Sequence, residues 1–259
     1  MFIDTHAHLF YKNFNGELDQ IVERAIEANV KYMVCPGTDV KTSKQSIEIA
    51  EKYQSVYATV GIHPHDTKGF TGKEISELRK LADHKKVVAI GEIGLDYYYD
   101  FSPKNQQIKA FKAQLDLAAE LDLPVVIHNR EANEDTMNIL REYKSKNLKG
   151  QLHCYAGTIE DAEELIEMGF LISFTGNITF KKLEELREIL KTIPVENLML
   201  ETDCPFMTPV PFRGKRNEPS YIPYIAEKVA EIHNVSVEEV EQLTTFNALN
   251  LFGIGNEME

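Results

Sequence analysis

Cysteine is scarce, with three in 259 residues, Cys35, Cys154 and Cys204. They are too few and too scattered for a disulfide framework and form no CxxC pair, so a reducing cytoplasm fits best. Long apolar runs are missing as well. The longest candidate, 87–95, is interrupted by Glu92 and falls far short of the roughly 20 residues of a membrane helix. The opening residues enter a strand-like segment at once, without the basic region, apolar run and small-residue cleavage site of a signal peptide. These absences predict a cytoplasmic protein with no membrane association. Positive charge is also in deficit: 28 Lys and Arg against 41 Asp and Glu leave a formal charge of −13. Such a balance opposes tight, sequence-independent adhesion to a polyanion, which depends on many phosphate contacts. It is compatible with a DNA or oligonucleotide substrate bound transiently, because metal ions and a few local cations can make one site attractive while the rest of the surface repels. No low-complexity segment, internal repeat or linker is present, and nothing points to an obligate protein partner. No glycine-rich phosphate loop follows the first strand, which argues against a nucleotide-binding open sheet.

What is present is an alternation. Apolar, β-branched segments recur at 2–6, 31–37, 56–63, 87–94, 124–129, 149–154, 169–174 and 197–203, with amphipathic stretches between them. Leu183, Leu186, Ile189, Leu190 and Ile193 step by three and four, which places them on one helical face. Thr158 with Asp161, and Ser236 with Glu239, read as helix starts, the second as a capping box. Strand and helix in strict alternation imply parallel strands joined by crossovers. Eight such units in about 250 residues fit a TIM (β/α)8 barrel of a single domain, 1–259, better than an open sheet. A hydrophobic fraction of 43% is enough for its core. The stretch 205–219, rich in proline, reads as a long active-site loop after the eighth strand, and 255–259 as a frayed acidic end.

His6 and His8 stand two apart at the end of the first strand, where alternation points both side chains the same way. Alone they could be a solvated pair. The other candidates also fall at strand C-terminal ends: Glu92, His128, His153 and Asp203. Taken singly, either later histidine could be a hydrogen-bonded core residue, Glu92 an ion-pair partner and Asp203 a helix cap. In a barrel these ends meet on one face. Four histidines and two carboxylates converging there are costly to desolvate unless paired or metallated, so the constellation is far more specific than any member. His63 and His65 end the third strand; His63 is expected to support the ligands or touch substrate, and His65 to be structural. Arg213, Lys215 and Arg216 concentrate positive charge beside Asp203, which makes Arg216 and Asn217 candidates for phosphate recognition, with Arg130 a weaker one. Cys154 and Cys204 neighbour proposed ligands but should point to the opposite face, and the 97–99 tyrosines could either stack bases or pack at the rim.

His6-Ala7-His8, Gly91-Glu92-Ile93-Gly94-Leu95-Asp96-Tyr97, His128-Asn129-Arg130, His153-Cys154-Tyr155-Ala156-Gly157, Glu201-Thr202-Asp203-Cys204-Pro205 and Arg216-Asn217-Glu218-Pro219 together resemble the motifs of TatD-like metal-dependent deoxyribonucleases. The match runs in order from residue 3 to the Thr244-Thr245-Phe246-Asn247 segment. Asn129, Tyr155 and Ala156 depart from the usual pattern and bear only on fine substrate contacts. The resemblance implies two divalent ions (Zn, Mn, Mg, Co or Ni), one held by His6, His8, Glu92 and Asp203, the other by Glu92, His128 and His153. A bridging carboxylate between ions about 3.5–4 Å apart suits water activation at a phosphodiester. Catalytic roles are expected for Glu92, for Asp203 as the group that orients water or as a ligand only, and for His63. The expected activity is that of a deoxyribonuclease or phosphodiesterase. An alternative keeps the metal site but cuts another ester or amide bond, such as an aminoacyl-tRNA ester, and a third reading is a metal-binding interaction protein without turnover.

Overall fold

Segments rich in valine and isoleucine become strands buried on both faces, as parallel strands must be when helices cover one side and a barrel interior the other. In a computed structural model describing residues 1–255, eight of them form one parallel sheet in chain order. They are β1 (Phe2–Asp4), β2 (Val30–Pro36), β3 (Val56–Val60), β4 (Val87–Asp96), β5 (Val125–Arg130), β6 (Gly150–Leu152), β7 (Phe170–Phe174) and β8 (Leu198–Leu200). Helices α1 (Leu18–Glu27), α2 (Val40–Lys52), α3 (Lys73–Ala82), α4 (Lys104–Leu121), α5 (Asn133–Glu142), α6 (Ile159–Glu167), α7 (Glu184–Thr192) and α8 (Ile222–His233) follow the strands in turn, and α9 (Val237–Phe252) packs against β1 and β8. This is the expected (β/α)8 barrel. The expected tail at 256–259 lies outside the described residues.

Local signals account for the helix starts. Thr158 accepts the Asp161 amide at α6, and Ser236 the Glu239 amide at α9. A full reciprocal capping box forms at α2, between Asp39 and Thr42, where the sequence reading had not placed one. Leu186 and Leu190 are the buried positions of α7, as their spacing requires.

The ring closes between its first and last strands. Thr5 N–H donates to the Leu200 carbonyl (3.0 Å), Asp203 N–H to the His6 carbonyl (2.9 Å), and Ala7 pairs with Cys204 in a parallel bridge. Asp4, fully buried, accepts from the Thr202 amide (2.9 Å) and hydroxyl (2.5 Å). Strands β1, β3 and β8 are shorter than the apolar runs suggested, so His6, His8, His63 and Asp203 stand just beyond strand ends. The Ala7–Cys204 bridge keeps the backbone extended there, which is why His6 and His8 still share a side.

Two glycine-dependent features shape the central strand. Between Ile90 and Ile93, three residue steps on β4 span two on β5, a bulge of the kind that re-aims a side chain, and Glu92 lies within it. Two residues later Gly94, at φ +137°, faces His128 so closely that an added Cβ would collide with the His128 carbonyl oxygen. Gly94→Ala should therefore push β4 off β5 and destabilise the fold by roughly 1–3 kcal/mol, as overpacking and backbone strain do. Gly16→Ala, at a positive φ but with nothing near its Cβ, isolates the strain component. Thermal denaturation should show the larger loss for Gly94→Ala; equal midpoints would rule out the steric account.

Candidate metal centre

The Glu92 carboxylate sits at the C-terminal mouth of the barrel, 2% exposed, with five imidazoles around it. Its two oxygens face different groups. Oε2 lies 3.3 Å from His6 Nε2 and 3.7 Å from His8 Nε2. Oε1 lies 2.9 Å from His153 Nε2, 3.0 Å from His128 Nδ1 and 3.3 Å from His63 Nε2. Asp203 Oδ1 completes the first group, 3.4 Å from His8 Nε2 and 4.0 Å from His6 Nε2. All six residues expected to hold metal thus meet at one place, contributed by β4, β5 and the ends of β1, β6 and β8.

The donor set fits divalent cations. Tetrahedral coordination at Zn–N bonds of about 2.0–2.1 Å puts neighbouring ligand atoms about 3.3 Å apart. His6 Nε2 and His8 Nε2 are 3.2 Å apart, and so are His128 Nδ1 and His153 Nε2. Glu92 Oε2 is buried with no hydrogen-bond partner, an uncompensated arrangement that a cation between it and the two imidazoles would satisfy.

Further carboxylates face the outer nitrogens of His128 and His153. Asp96 Oδ2 accepts from His128 Nε2 (3.0 Å) and from His65 Nε2 (2.8 Å), while its Oδ1 accepts the Tyr98 and Tyr99 amides. His128 Nδ1 meanwhile faces Glu92 Oε1, so the ring stands between two carboxylates; burial opposes its charge, but the hydrogen bonds to Asp96 and Glu92 outweigh it and raise its pKa, and an ion bound beside Glu92 would take the place of the Nδ1 proton while Asp96 keeps the one on Nε2. Glu201 Oε1 stands 3.6 Å from His153 Nδ1, beyond hydrogen-bonding distance, and that buried nitrogen has no hydrogen-bond partner. Glu201 itself is saturated by the Cys154 amide, Gln151 and the Ser173 hydroxyl, so it supports the cluster without joining it. His63 differs: its Nδ1 accepts the His65 amide (3.1 Å), so the neutral ring carries its proton on Nε2 and can donate but not ligate. Asp96 and Glu201 were not singled out from the sequence, although each belongs to a quoted motif block.

Electrostatics follow from this crowding. Burial opposes ionisation of Glu92, but the charges of His63, His153 and His6 and the hydrogen bond from His128 outweigh it and hold the carboxyl well below its usual range. Burial likewise opposes the charge on Asp96, which hydrogen bonds from His128 and His65 overcome, so it too lies low. Burial pushes His63 down to about 4, and burial followed by the charge of His153 lowers His6. Burial raises the Cys154 and Cys204 thiols well above their usual value, which argues against thiolate ligands.

Of the expected phosphate contacts, only Arg130 faces the site. It is exposed, lines a cavity of about 500 Å³ over Glu92 and Asp203, and stacks above Tyr98 at 4.0 Å and Tyr99 at 4.9 Å. Arg216 turns the other way: it donates to the Asn13 carbonyl and to Glu17 (2.8 Å), clasping the loop after β8 to the loop before α1. Asn217 is fully buried, its amide donating to the Thr202 and Phe206 carbonyls and its oxygen accepting the Glu218 amide. Neither position suits substrate recognition in this arrangement. Closeness to Asp203 in the chain was a poor guide because the loop folds these two side chains into its own framework.

The sequence profile of the family described as TatD related DNase matches residues 3–253. A protein of Bacillus subtilis (strain 168), YabD, described as an uncharacterized metal-dependent hydrolase, is 45% identical over 98% of this chain and all of its own. A protein of Erwinia tasmaniensis named 3'-5' ssDNA/RNA exonuclease TatD is 38% identical over 97% of this chain and 99% of its own. The crystal structure of the TatD homologue YjjV from Escherichia coli K12 superposes with a TM-score of 0.92 at 29% identity, covering 98% of each chain.

Asp96→Asn would place an amide NH2 against two ring N–H groups and drive the His128 proton onto Nδ1. Affinity at the ion position served by His128 should then fall by roughly 10–100-fold, as removal of such supporting partners does elsewhere. Titration with Co or Zn against a competing chelator should show weaker binding, and, if two ions bind, weakening confined to the one His128 would hold. Unaltered affinity at both would mean that Asp96 does not set the tautomer.

Proposed function

The chain belongs to the TatD related DNase family, and on that premise we propose that it is a metal-dependent phosphodiesterase that hydrolyses DNA or oligonucleotides with water activated between two divalent ions. The observation that carries this reading is the division of Glu92, with Oε2 turned to His6 and His8 and Oε1 to His128 and His153. His6, His8, Glu92 and Asp203 would hold one ion, and Glu92, His128 and His153 the other. Bound there, the pair would lower the pKa of water and neutralise charge on a phosphoryl group. The histidine-rich set favours Zn, Mn, Co or Ni in purified protein, with Mg as a further candidate.

The residues divide the remaining work. Asp203, whose side chain is more open to the cavity than that of Glu92, is placed to orient the attacking water and accept its proton at Oδ. His63, carrying its proton on Nε2 at the cavity wall, is placed to donate to a phosphoryl oxygen. Arg130 would supply the cation for a flanking phosphate, since Arg216 and Asn217 turn into the loop after β8. Substrate would bind transiently and without an obligate protein partner. The free thiols fit a reducing cytoplasm, and among the described residues no helix is long and apolar enough to cross a membrane.

Metal-reconstituted protein assayed on oligonucleotides, aminoacyl esters and phosphate esters tests the reading directly, and phosphodiester cleavage should dominate. Glu92→Ala should reduce it by more than the roughly 10–100-fold expected for a supporting residue, because both ions lose a ligand. Cleavage of carboxylic esters alone would overturn the proposal.

Arg130→Ala should weaken oligonucleotide binding and lower the slope of log affinity against log salt by about one, with metal stoichiometry unchanged. Arg216→Ala should leave that slope alone and act on the stability of the loop. The reverse pattern would return phosphate recognition to Arg216.

A further inference from the structure

Cations are outnumbered in this chain, yet several gather at one place on the rim. The loop after β7 runs into Phe180-Lys181-Lys182, and the loop after β8 carries Phe212-Arg213-Gly214-Lys215-Arg216. Neither 176–182 nor 205–216 contains an Asp or Glu, in a chain whose net charge is −13. Lys181, Lys182, Arg213 and Lys215 are exposed. Among the described residues none of these four pairs with a carboxylate, whereas Arg79, Arg141 and Arg216 do.

The fold holds the two stretches together. The Arg213 guanidinium lies over the Phe180 ring at 3.7 Å, and the Val210 amide donates to the Thr179 hydroxyl (2.9 Å). Arg187, a further cation without a carboxylate partner among the described residues, donates to the carbonyls of Ile178 (3.2 Å), Phe180 (2.6 Å) and Lys181 (3.2 Å) and so pins the loop after β7. Gly176 approaches the Met207 carbonyl so closely that a Cβ would collide with it, and Met207 lines the cavity over Glu92 and Asp203. The cationic surface therefore begins at the wall of the mouth. From Met207 to Arg213 the chain can reach at most about 20 Å, or about six nucleotides at the rise of about 3.4 Å along a B-form strand.

Unpaired like charges side by side repel one another and do nothing for the fold. They favour a partner with several closely spaced negative charges. A folded acidic protein would set its own negative face against the rest of an acidic surface, whereas a strand leaving the mouth is narrow enough to meet the cations alone. We propose that Lys181, Lys182, Arg213 and Lys215 form a phosphate track that grips the backbone of the substrate strand within about six nucleotides of the cleaved bond. A track that touches only phosphates carries no sequence preference. It makes the enzyme sensitive to strand length instead. The inference rests on the phosphodiesterase reading and adds to it a binding surface outside the mouth.

The test is the dependence of binding on length. Metal-loaded protein is titrated with labelled thymidine tetra-, octa- and dodecanucleotides whose phosphorothioate linkages resist cleavage. Wild-type affinity should climb about tenfold from the tetranucleotide to the octanucleotide and then level off. The triple variant Lys181→Gln, Lys182→Gln and Lys215→Gln spares the Arg213–Phe180 contact and should lose most of that gain. For the octanucleotide its slope of log affinity against log salt should fall by about two, from three phosphates at about 0.7 each, so that between about 50 and 200 mM salt it loses about twentyfold less affinity than wild type. A merely structural role would weaken all lengths alike and leave the slope in place. KM for cleavage of unmodified strands should follow the same pattern, its ratio between tetranucleotide and octanucleotide approaching one in the variant. Length-independent affinity in wild type, or a variant that keeps both gain and slope, would overturn the track, while cleavage of the tetranucleotide would leave the phosphodiesterase reading intact. Tighter binding of a polyglutamate peptide than of the octanucleotide would assign the surface to acidic proteins and overturn the track as well. Failure of wild-type protein to cut any unmodified oligonucleotide would remove the phosphodiesterase reading and the inference with it.

Discussion

A carboxylate buried at the mouth of a barrel has lost its water, and its charge must be met from within the protein. For Glu92 five imidazoles meet it, and much of the local architecture can be traced to holding them there. The bulge in β4 brings Glu92 toward the cluster, and Gly94 lets the following turn of strand lie against the His128 backbone. Asp96 and Glu201, themselves buried, face the outer nitrogens of His128 and His153. Asp96 is compensated by the histidines it orients, whereas Glu201 is held by the Cys154 amide, Gln151 and Ser173. Removing any one leaves a charge or a ring nitrogen unmatched in a place that water reaches poorly.

The arrangement also separates tasks by element. The clustered histidines and carboxylates come from strands and the residues just past their ends, which the closed ring holds in place, while Arg130 and the exposed aromatic residues come from the rim and from loops that can differ without disturbing the ring. The loop after β8 is nevertheless well anchored: Arg24 forms a two-pronged pair with Glu218 (2.7 Å at each contact), and Arg216 reaches Glu17.

Strand positions were legible in the sequence because burial on both faces leaves continuous apolar runs, and the cluster was legible because barrel strand ends converge. His128 could be placed near its strand end on that argument, whereas Glu92 lies inside β4, where the bulge rather than the strand's end brings it to the mouth. Arg216 and Asn217 could not, since no periodicity governs the direction of a side chain in an irregular loop. Asn217 lies 14 positions beyond Asp203 yet points into the loop's own backbone. Asp96 and Glu201 escaped notice for a different reason. Their role depends on the outer nitrogen of a histidine donated by another strand, and that pairing exists only in three dimensions. The strand ends were set too far along at β1, β3, β6 and β8, because buried polar residues such as His6, Glu201 and Thr202 carry the chain on into the mouth after the last ladder hydrogen bond.

The seam between β1 and β8 has a consequence for how the molecule comes into being. His8 precedes Asp203 by 195 positions, and the cluster they form lies across the one junction among the described strands that no crossover helix spans in sequence. During synthesis β1 must wait, unpaired on one edge, until β8 has emerged. A cation shared between His8 and Asp203 would then fasten the first strand to the eighth after the ring has closed, and by binding only the closed form it would draw the folding equilibrium toward completion. In that sense the histidine–carboxylate cluster would double as the clasp of the barrel, and metal supply and maturation would become a single problem.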